Sequence, residues 1–259
     1  MKNKAAIVTG STSGIGLAVA DCLAEQGCNI MLNGFGDRAG IDAIMADMQA
    51  RNAVKVAYHG ADMSKPDEIS ELVTACRNAF GSVDILVNNA GIQHTDPVDE
   101  FPVQKWDQIL AVNLSSNFHT VRAALPIMKS QGFGRIVNIS SVHGHVASVN
   151  KAAYVAAKHG VLGLTKVIAL ETASTPITCN AVCPGWVRTP LVQKQIDAFA
   201  TRENVSEDTA IASMLGEKQP SKTFVLPKQI GQAVVYLCSE AASEIRGSTI
   251  NVDGGWLAQ

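Results

Sequence analysis

The sequence predicts an α/β fold: one Rossmann-type domain built on a doubly wound parallel sheet of about seven strands, with a helical lid after strand six. Three observations carry that expectation. Short apolar runs alternate with longer amphipathic ones from end to end. The first run feeds a glycine-rich turn. A polar stretch over 190–226 interrupts the alternation without supplying another strand.

Taken in order, AAIVT (5–9), NIMLN (29–33), VKVAY (54–58), DILVN (84–88), RIVNIS (135–140), ITCNAV (177–182) and STINV (248–252) read as strands. They are short, rich in Val and Ile, and mostly apolar on both faces, as strands covered from both sides should be. Between them, 15–26, 39–51, 66–80, 104–130, 152–172 and 228–239 carry helical patterns. Pro66 and Pro227 suit helix starts, and Gly27 and Gly81 suit helix ends. Short links between alternating elements imply right-handed crossovers. Ligands of open α/β sheets sit beyond the carboxyl ends of the strands, so the segment 190–226 is placed to act as a lid within a single domain spanning 1–259.

Composition narrows the function. With 47% hydrophobic and 17% charged residues, the 259-residue chain can bury a large core. A net charge of −2 supplies no basic field for nucleic acid or anionic lipid, so neither is an expected partner. The N-terminus MKNKAAIVTG lacks the pattern of a signal peptide, and no window approaches about 18 uninterrupted apolar residues. Cys22, Cys28, Cys76, Cys179, Cys183 and Cys238 form no Cys-x-x-Cys, which reads as inert thiols in a reducing cytoplasm. No carboxylate or histidine spacing suggests a catalytic metal.

The first strand runs into Gly10-Ser11-Thr12-Ser13-Gly14-Ile15-Gly16. Glycines there permit a tight turn and close approach of backbone to a pyrophosphate, whose charge a helix N-terminus favours. Other pieces fall where a dinucleotide needs them. Asp62-Met63 follows strand three, Asn88-Asn89-Ala90-Gly91 follows strand four, and Pro184-Gly185-Trp186-Val187 follows strand six as a wall for a nicotinamide ring. Each alone reads more readily as an ordinary turn; together, in this order, they point to a dinucleotide site.

Of three tyrosines, only Tyr154 has a lysine four residues on. In a helix Tyr154 and Lys158 share a face, and a nearby ammonium favours the phenolate and lowers its pKa toward the useful range for proton transfer. Ser141, at the carboxyl end of strand five, can hold a reacting oxygen. Asn113 is polar within the apolar ILAVNLSS; the alternative is a helix defect satisfied by backbone or water. A hydrolase built on Ser141 is excluded by the lack of a G-x-S-x-G elbow.

The glycine loop, Asn88-Asn89-Ala90-Gly91, Asn113, Ser141, Tyr154-x-x-x-Lys158 and Pro184-Gly185 together resemble the short-chain dehydrogenase/reductase family in order and spacing, over essentially the whole chain to Asp253-Gly254-Gly255. That resemblance implies an oxidoreductase with a tetrad: Tyr154 as general acid/base, Lys158 lowering its pKa and binding ribose, Ser141 orienting substrate, and Asn113 supporting a proton-relay water. It implies a cofactor site that includes Gly10, Thr12, Ser13, Gly14, Ile15, Gly16, Phe35, Asp62, Met63, Asn89, Ala90, Gly91, Tyr154, Lys158, Pro184, Gly185, Val187 and Thr189. It also implies a homotetramer. After strand two, Asn33 is neutral and Asp37 and Arg38 come slightly late, which favours NAD over NADP.

Longer segments, among them Asn33-Gly34-Phe35-Gly36, Gln93-His94, Ser141-Val142-His143-Gly144 and Glu217-Lys218-Gln219-Pro220-Ser221, are similar to members of that family acting on (R)-3-hydroxybutyrate. The likeness implies reversible oxidation to acetoacetate and assigns the carboxylate to Gln93, His143, Lys151 and Gln195. Trp186 and Trp256 would wall a small pocket, though both are also readable as core residues. A lysine near a helix start is slightly unfavourable with the helix dipole, so ordinary stability does not explain Lys151. Solvated residues remain the alternative for His143, Lys151 and the two glutamines. Rival readings are a longer 3-hydroxy acid or other secondary alcohol as substrate, and a dinucleotide-binding regulator without turnover. His145 stands where the pattern usually has an apolar residue, and either enters the pocket or faces solvent.

Overall fold

Each apolar run expected to form a strand does so in the computed structural model, which describes residues 1–259. The strands are Ala5–Val8 (β1), Asn29–Asn33 (β2), Val56–His59 (β3), Ile85–Asn88 (β4), Gly134–Ile139 (β5), Ile177–Pro184 (β6) and Thr249–Val252 (β7). All pair in parallel, in the order β3-β2-β1-β4-β5-β6-β7. The period of two sorts their side chains. Ala6, Val8, Ile30, Leu32, Ile85 and Val87 enter one buried layer, and Ala5, Ile7, Met31, Leu86 and Ile136 enter the other.

Helices cover both layers. They are Gly14–Glu25 (α1), Arg38–Asn52 (α2), Pro66–Phe80 (α3), Val103–Leu110 (α4), Ser116–Gln131 (α5), Ala152–Glu171 (α6), Pro190–Glu203 (α7), Glu207–Lys218 (α8) and Pro227–Cys238 (α9). On the first layer α1 packs on α9, and the crossing is tight. A Cβ on Gly231 would lie 2.6 Å from Cys22 Sγ and 2.9 Å from the Ala18 carbonyl. All six cysteines are buried and unpaired, and burial pushes their thiols up, Cys22, Cys28 and Cys183 each to about 11, so they are inert as nucleophiles.

One expected helix is not continuous. The pattern over 104–130 divides into α4 and α5 around a π turn at Ala111–Ser115. The physical reason is a long-range bond pair. Asn113 Nδ2 donates to the Ile92 carbonyl at 2.9 Å, and Asn113 Oδ1 accepts from the Ile92 N–H at 2.8 Å. Such local widening of a helix commonly accompanies functional sites.

The polar segment after β6 does form a flap, made of α7 and α8. Thr189 caps α7 by accepting from the Val192 N–H, with Pro190 at the first helical position, and Ser206 caps α8 through the Thr209 N–H. Val192, Ile196, Ala210 and Met214 give the flap a small core of its own. After β7 the Asp253 carboxylate accepts from the N–H groups of Gly255 and Leu257, folding Trp256 back toward the sheet.

Candidate active site

The winding direction reverses between β1 and β4, and the ligand crevice of such a sheet lies beyond the carboxyl ends of those strands. A cavity of about 510 Å³ opens there, under α7. Every residue expected to hold a dinucleotide lines it, from Gly10 to Gly16 through Phe35, Asp62, Met63 and Asn89 to Gly91, and on to Pro184, Gly185, Val187 and Thr189.

The glycine loop is shaped by backbone proximity. A Cβ on Gly16 would sit 2.2 Å from the Gly10 carbonyl oxygen, so only glycine lets α1 begin this close to the turn. Gly10 itself has φ 63°, in the left-handed region. The loop is held from three sides. Asn89 Nδ2 donates to the Thr9 and Gly10 carbonyls at 2.8 and 3.1 Å, Ala90 N–H donates to Thr9 Oγ1, and Asn33 Oδ1 accepts from Gly10 N–H at 3.2 Å. Asn33 also donates to the carbonyls of His59 and Ala61, so its amide is spent on scaffold. This cradle, with unhindered backbone at the N-terminus of α1, suits a dinucleotide pyrophosphate. Arg38, exposed at the start of α2, pairs with Asp42 at 2.9 Å along its own helix.

Tyr154 and Lys158 project from the first turns of α6, as their spacing requires, and Ser141 faces them from the end of β5. The electrostatics depart from the simple expectation. Burial raises the Tyr154 phenol above its ordinary value, and the Ser141 hydroxyl only partly offsets it by donating toward the phenol oxygen. Lys158 does not reverse this. Its ammonium donates to the Ile139 carbonyl at 2.8 Å, lies 5.6 Å from the Tyr154 ring centre, and is itself pushed down to about 8 by burial. Desolvation outweighs the lysine in the free protein.

Asn113 is buried but does not line the cavity. Its amide is consumed by Ile92, matching the backbone-satisfied alternative, and its effect on the site is to fix the loop that presents Gln93.

Beside Tyr154, residues from several separate segments converge. Gln195 Nε2 on α7 donates to Gln93 Oε1 at 3.3 Å, joining lid to loop. Gln93 Nε2, His143 Nδ1 and Trp186 Nε1 are buried without a hydrogen-bond partner. The Lys151 ammonium sits 5.2 Å from the Trp186 ring centre, and burial, with no acidic neighbour, pushes it down to about 8. His143 is pushed down to about 4 by burial and then by Lys151, so it is neutral at physiological pH. Trp256 stacks edge-on with His143 at 5.6 Å and lies 5.9 Å from Trp186, closing that end of the cavity. A half-buried cation among orphaned polar groups is costly unless an anion with several acceptors completes it.

His145 lies outside this cavity. It is exposed, touches Cys183 Sγ through Nε2 at 3.6 Å, and lines a separate surface hollow with His159 and Lys166. Sequence reasoning missed the scaffold roles of Asn33 and Gln219. Neither lies in a periodic pattern that marks it, since each acts on segments distant in the chain.

Comparison with known proteins agrees with this geometry. Residues 10–257 match a family model described as enoyl-(acyl carrier protein) reductase. The chain is 55% identical to D-beta-hydroxybutyrate dehydrogenase of Cupriavidus necator, covering 100% of both chains. It is 49% identical to the D-beta-hydroxybutyrate dehydrogenase of Rhizobium meliloti over 99% of each. Among solved structures it resembles a variant of actinorhodin polyketide ketoreductase with NADPH (TM-score 0.92, 34% identity, 98% of this chain and 97% of that one). Levodione reductase superposes equally well (TM-score 0.92, 31% identity, 100% and 99% covered).

Proposed function

The chain belongs to the short-chain dehydrogenase/reductase family, whose chemistry uses a nicotinamide dinucleotide, and from that premise we propose that it interconverts (R)-3-hydroxybutyrate and acetoacetate with NAD. The observation that carries the substrate reading is the Lys151 ammonium, half-buried without a carboxylate partner among the orphaned groups of Gln93, His143 and Trp186 and next to Tyr154. A small keto acid supplies what that end lacks, one negative charge and two acceptor oxygens. The D-beta-hydroxybutyrate dehydrogenases it resembles favour the same substrate class.

Bound nicotinamide would supply the hydride acceptor for oxidation and the donor for reduction. The residues placed to hold the dinucleotide are the glycine loop, Asp62, Asn89 to Gly91, Lys158 and the wall from Pro184 to Thr189. NAD rather than NADP is favoured because the end of β2 offers Asn33, Gly34 and Phe35, none of them cationic, while Arg38 follows only at the start of α2.

In reduction, Tyr154 gives its phenolic proton to the developing alkoxide while Ser141 holds that oxygen. In oxidation, the Tyr154 oxygen takes the alcohol proton. The phenol is in its acid form at neutral pH and donates in reduction, and burial raises it further, so oxidation gains as pH rises. Lys151 and His143 orient the carboxylate. Gln195, bonded to Gln93, makes closure of α7 part of substrate recognition and excludes water. Trp186 and Trp256 limit the length of the acid. A homotetramer is the assembly we infer from the family likeness; exposed Phe118 on α5 and Val167 and Leu170 on α6 offer apolar surface for it. Light scattering that finds an active monomer would overturn that assembly.

The decisive assay follows NADH formation with (R)-3-hydroxybutyrate and NAD, against the (S) isomer and NADP. Turnover confined to the (R) acid with NAD supports the proposal. Binding of NADH with no turnover of the four-carbon acid would sink the substrate assignment.

A further inference from the structure

Gln219 follows α8, at the far end of the lid, and its residue is fully buried (0% exposed). Its side-chain amide reaches two other segments. Gln219 Oε1 accepts from the Trp186 main-chain N–H at 2.8 Å, and Gln219 Nε2 donates to the Thr223 carbonyl. The Trp186 carbonyl in turn accepts from Val225 N–H at 2.9 Å, so both main-chain polar groups of Trp186 are tied to residues 219–225. Packing fixes the same amide. A Cβ on Gly185 would fall 2.7 Å from Gln219 Oε1, and one on Gly254 would fall 2.7 Å from Gln219 Cγ. Ser221 N–H also donates to the Gly254 carbonyl at 3.0 Å, just before Trp256. One buried amide therefore joins the strand-six wall, the lid exit and the C-terminal turn. Those are the segments that carry Trp186 and Trp256.

We propose that Gln219 is a positioning residue that sets the two-indole wall closing the substrate end of the cavity, and thereby the length of acid that fits. Its kinetic consequence rests on the hydroxy-acid reading above; its structural consequence does not. Methionine matches the shape of glutamine and deletes both hydrogen bonds, leaving the Trp186 N–H unpaired. Loss of a buried hydrogen bond of this kind corresponds to a change of about tenfold.

The test compares wild type, Gln219→Met and Gln219→Glu by amide hydrogen exchange at Trp186 and by steady-state kinetics on four- and five-carbon (R)-3-hydroxy acids. In Gln219→Met, exchange at Trp186 should quicken at least about tenfold, because its acceptor is gone. KM for the four-carbon acid should rise about tenfold with kcat and NADH affinity little changed, and preference should move toward the five-carbon acid. Gln219→Glu adds a signature that packing alone cannot give. Its protonated carboxyl accepts from Trp186 and donates to Thr223, so this variant should match wild type at low pH and lose substrate affinity relative to it as the carboxyl ionises. Unchanged Trp186 exchange in Gln219→Met would overturn the proposal, as would an equal loss of kcat and NADH affinity. A wild type inactive on both acids would sink the substrate reading instead, and the exchange result would still decide the role of Gln219.

Discussion

Replacing Lys151 with methionine should raise stability while lowering activity, and both effects follow from one half-buried charge. Burial alone holds the Lys151 ammonium down from its ordinary 10.5 to about 8. That drop corresponds to about 3 kcal/mol against the charged form, an upper figure that its partial exposure reduces. The folded chain binds this proton more weakly than the unfolded chain. Between about 8 and 10.5 the unfolded state therefore carries more protons, and stability rises with pH through that window. The full penalty applies below pH 8, where Lys151→Met should have the higher Tm; near pH 10.5 the difference should close. For catalysis the sign is opposite. A charge-assisted contact to a carboxylate contributes about 1.5–3 kcal/mol, so kcat/KM for (R)-3-hydroxybutyrate should fall roughly 10- to 150-fold. The methyl ester of the same alcohol, lacking the charge, should lose little. Scanning calorimetry across pH and NADH absorbance on acid and ester measure the two halves. A similar loss toward acid and ester, or a lower Tm at pH 7, would refute the reasoning.

Gly16→Ala should abolish tight NADH binding, measured by fluorescence titration, because the new Cβ meets the Gly10 carbonyl at 2.2 Å. His143, held down to about 4, should show no imidazole titration between pH 5 and 8 by NMR. Because the unfolded histidine binds protons more readily, its contribution to stability should fall as pH drops from about 6.5 toward 4. The oxidation reaction should show a two-sided pH profile: kcat/KM gains toward alkaline pH as the raised Tyr154 phenol of the free enzyme ionises, while KM for the acid climbs above about 8 as free Lys151 loses its proton. A flat KM across that range would count against Lys151 as the carboxylate partner.

The sequence by itself determined what depends on local pattern. Short runs of Val and Ile, apolar on both faces, became strands because both faces of the sheet are covered. Gly10 and Gly16 marked the first strand–helix turn because close backbone approach tolerates no side chain, and Gly14 because its backbone is left-handed. Tyr154 and Lys158 shared a face because one helical turn separates them. What no local pattern encodes is which distant groups meet and how dry the meeting place is. The π turn at Asn113 arises from a partner twenty-one residues away in the chain, Ile92. Gln219 earns its position from Trp186, Thr223 and the glycines at 185 and 254. The ionisation of Tyr154, Lys158, Lys151 and His143 is set by desolvation, a property of the closed cavity rather than of sequence neighbours. Spacing could place an ammonium near a phenol, but only the tertiary structure decided that burial would outweigh it.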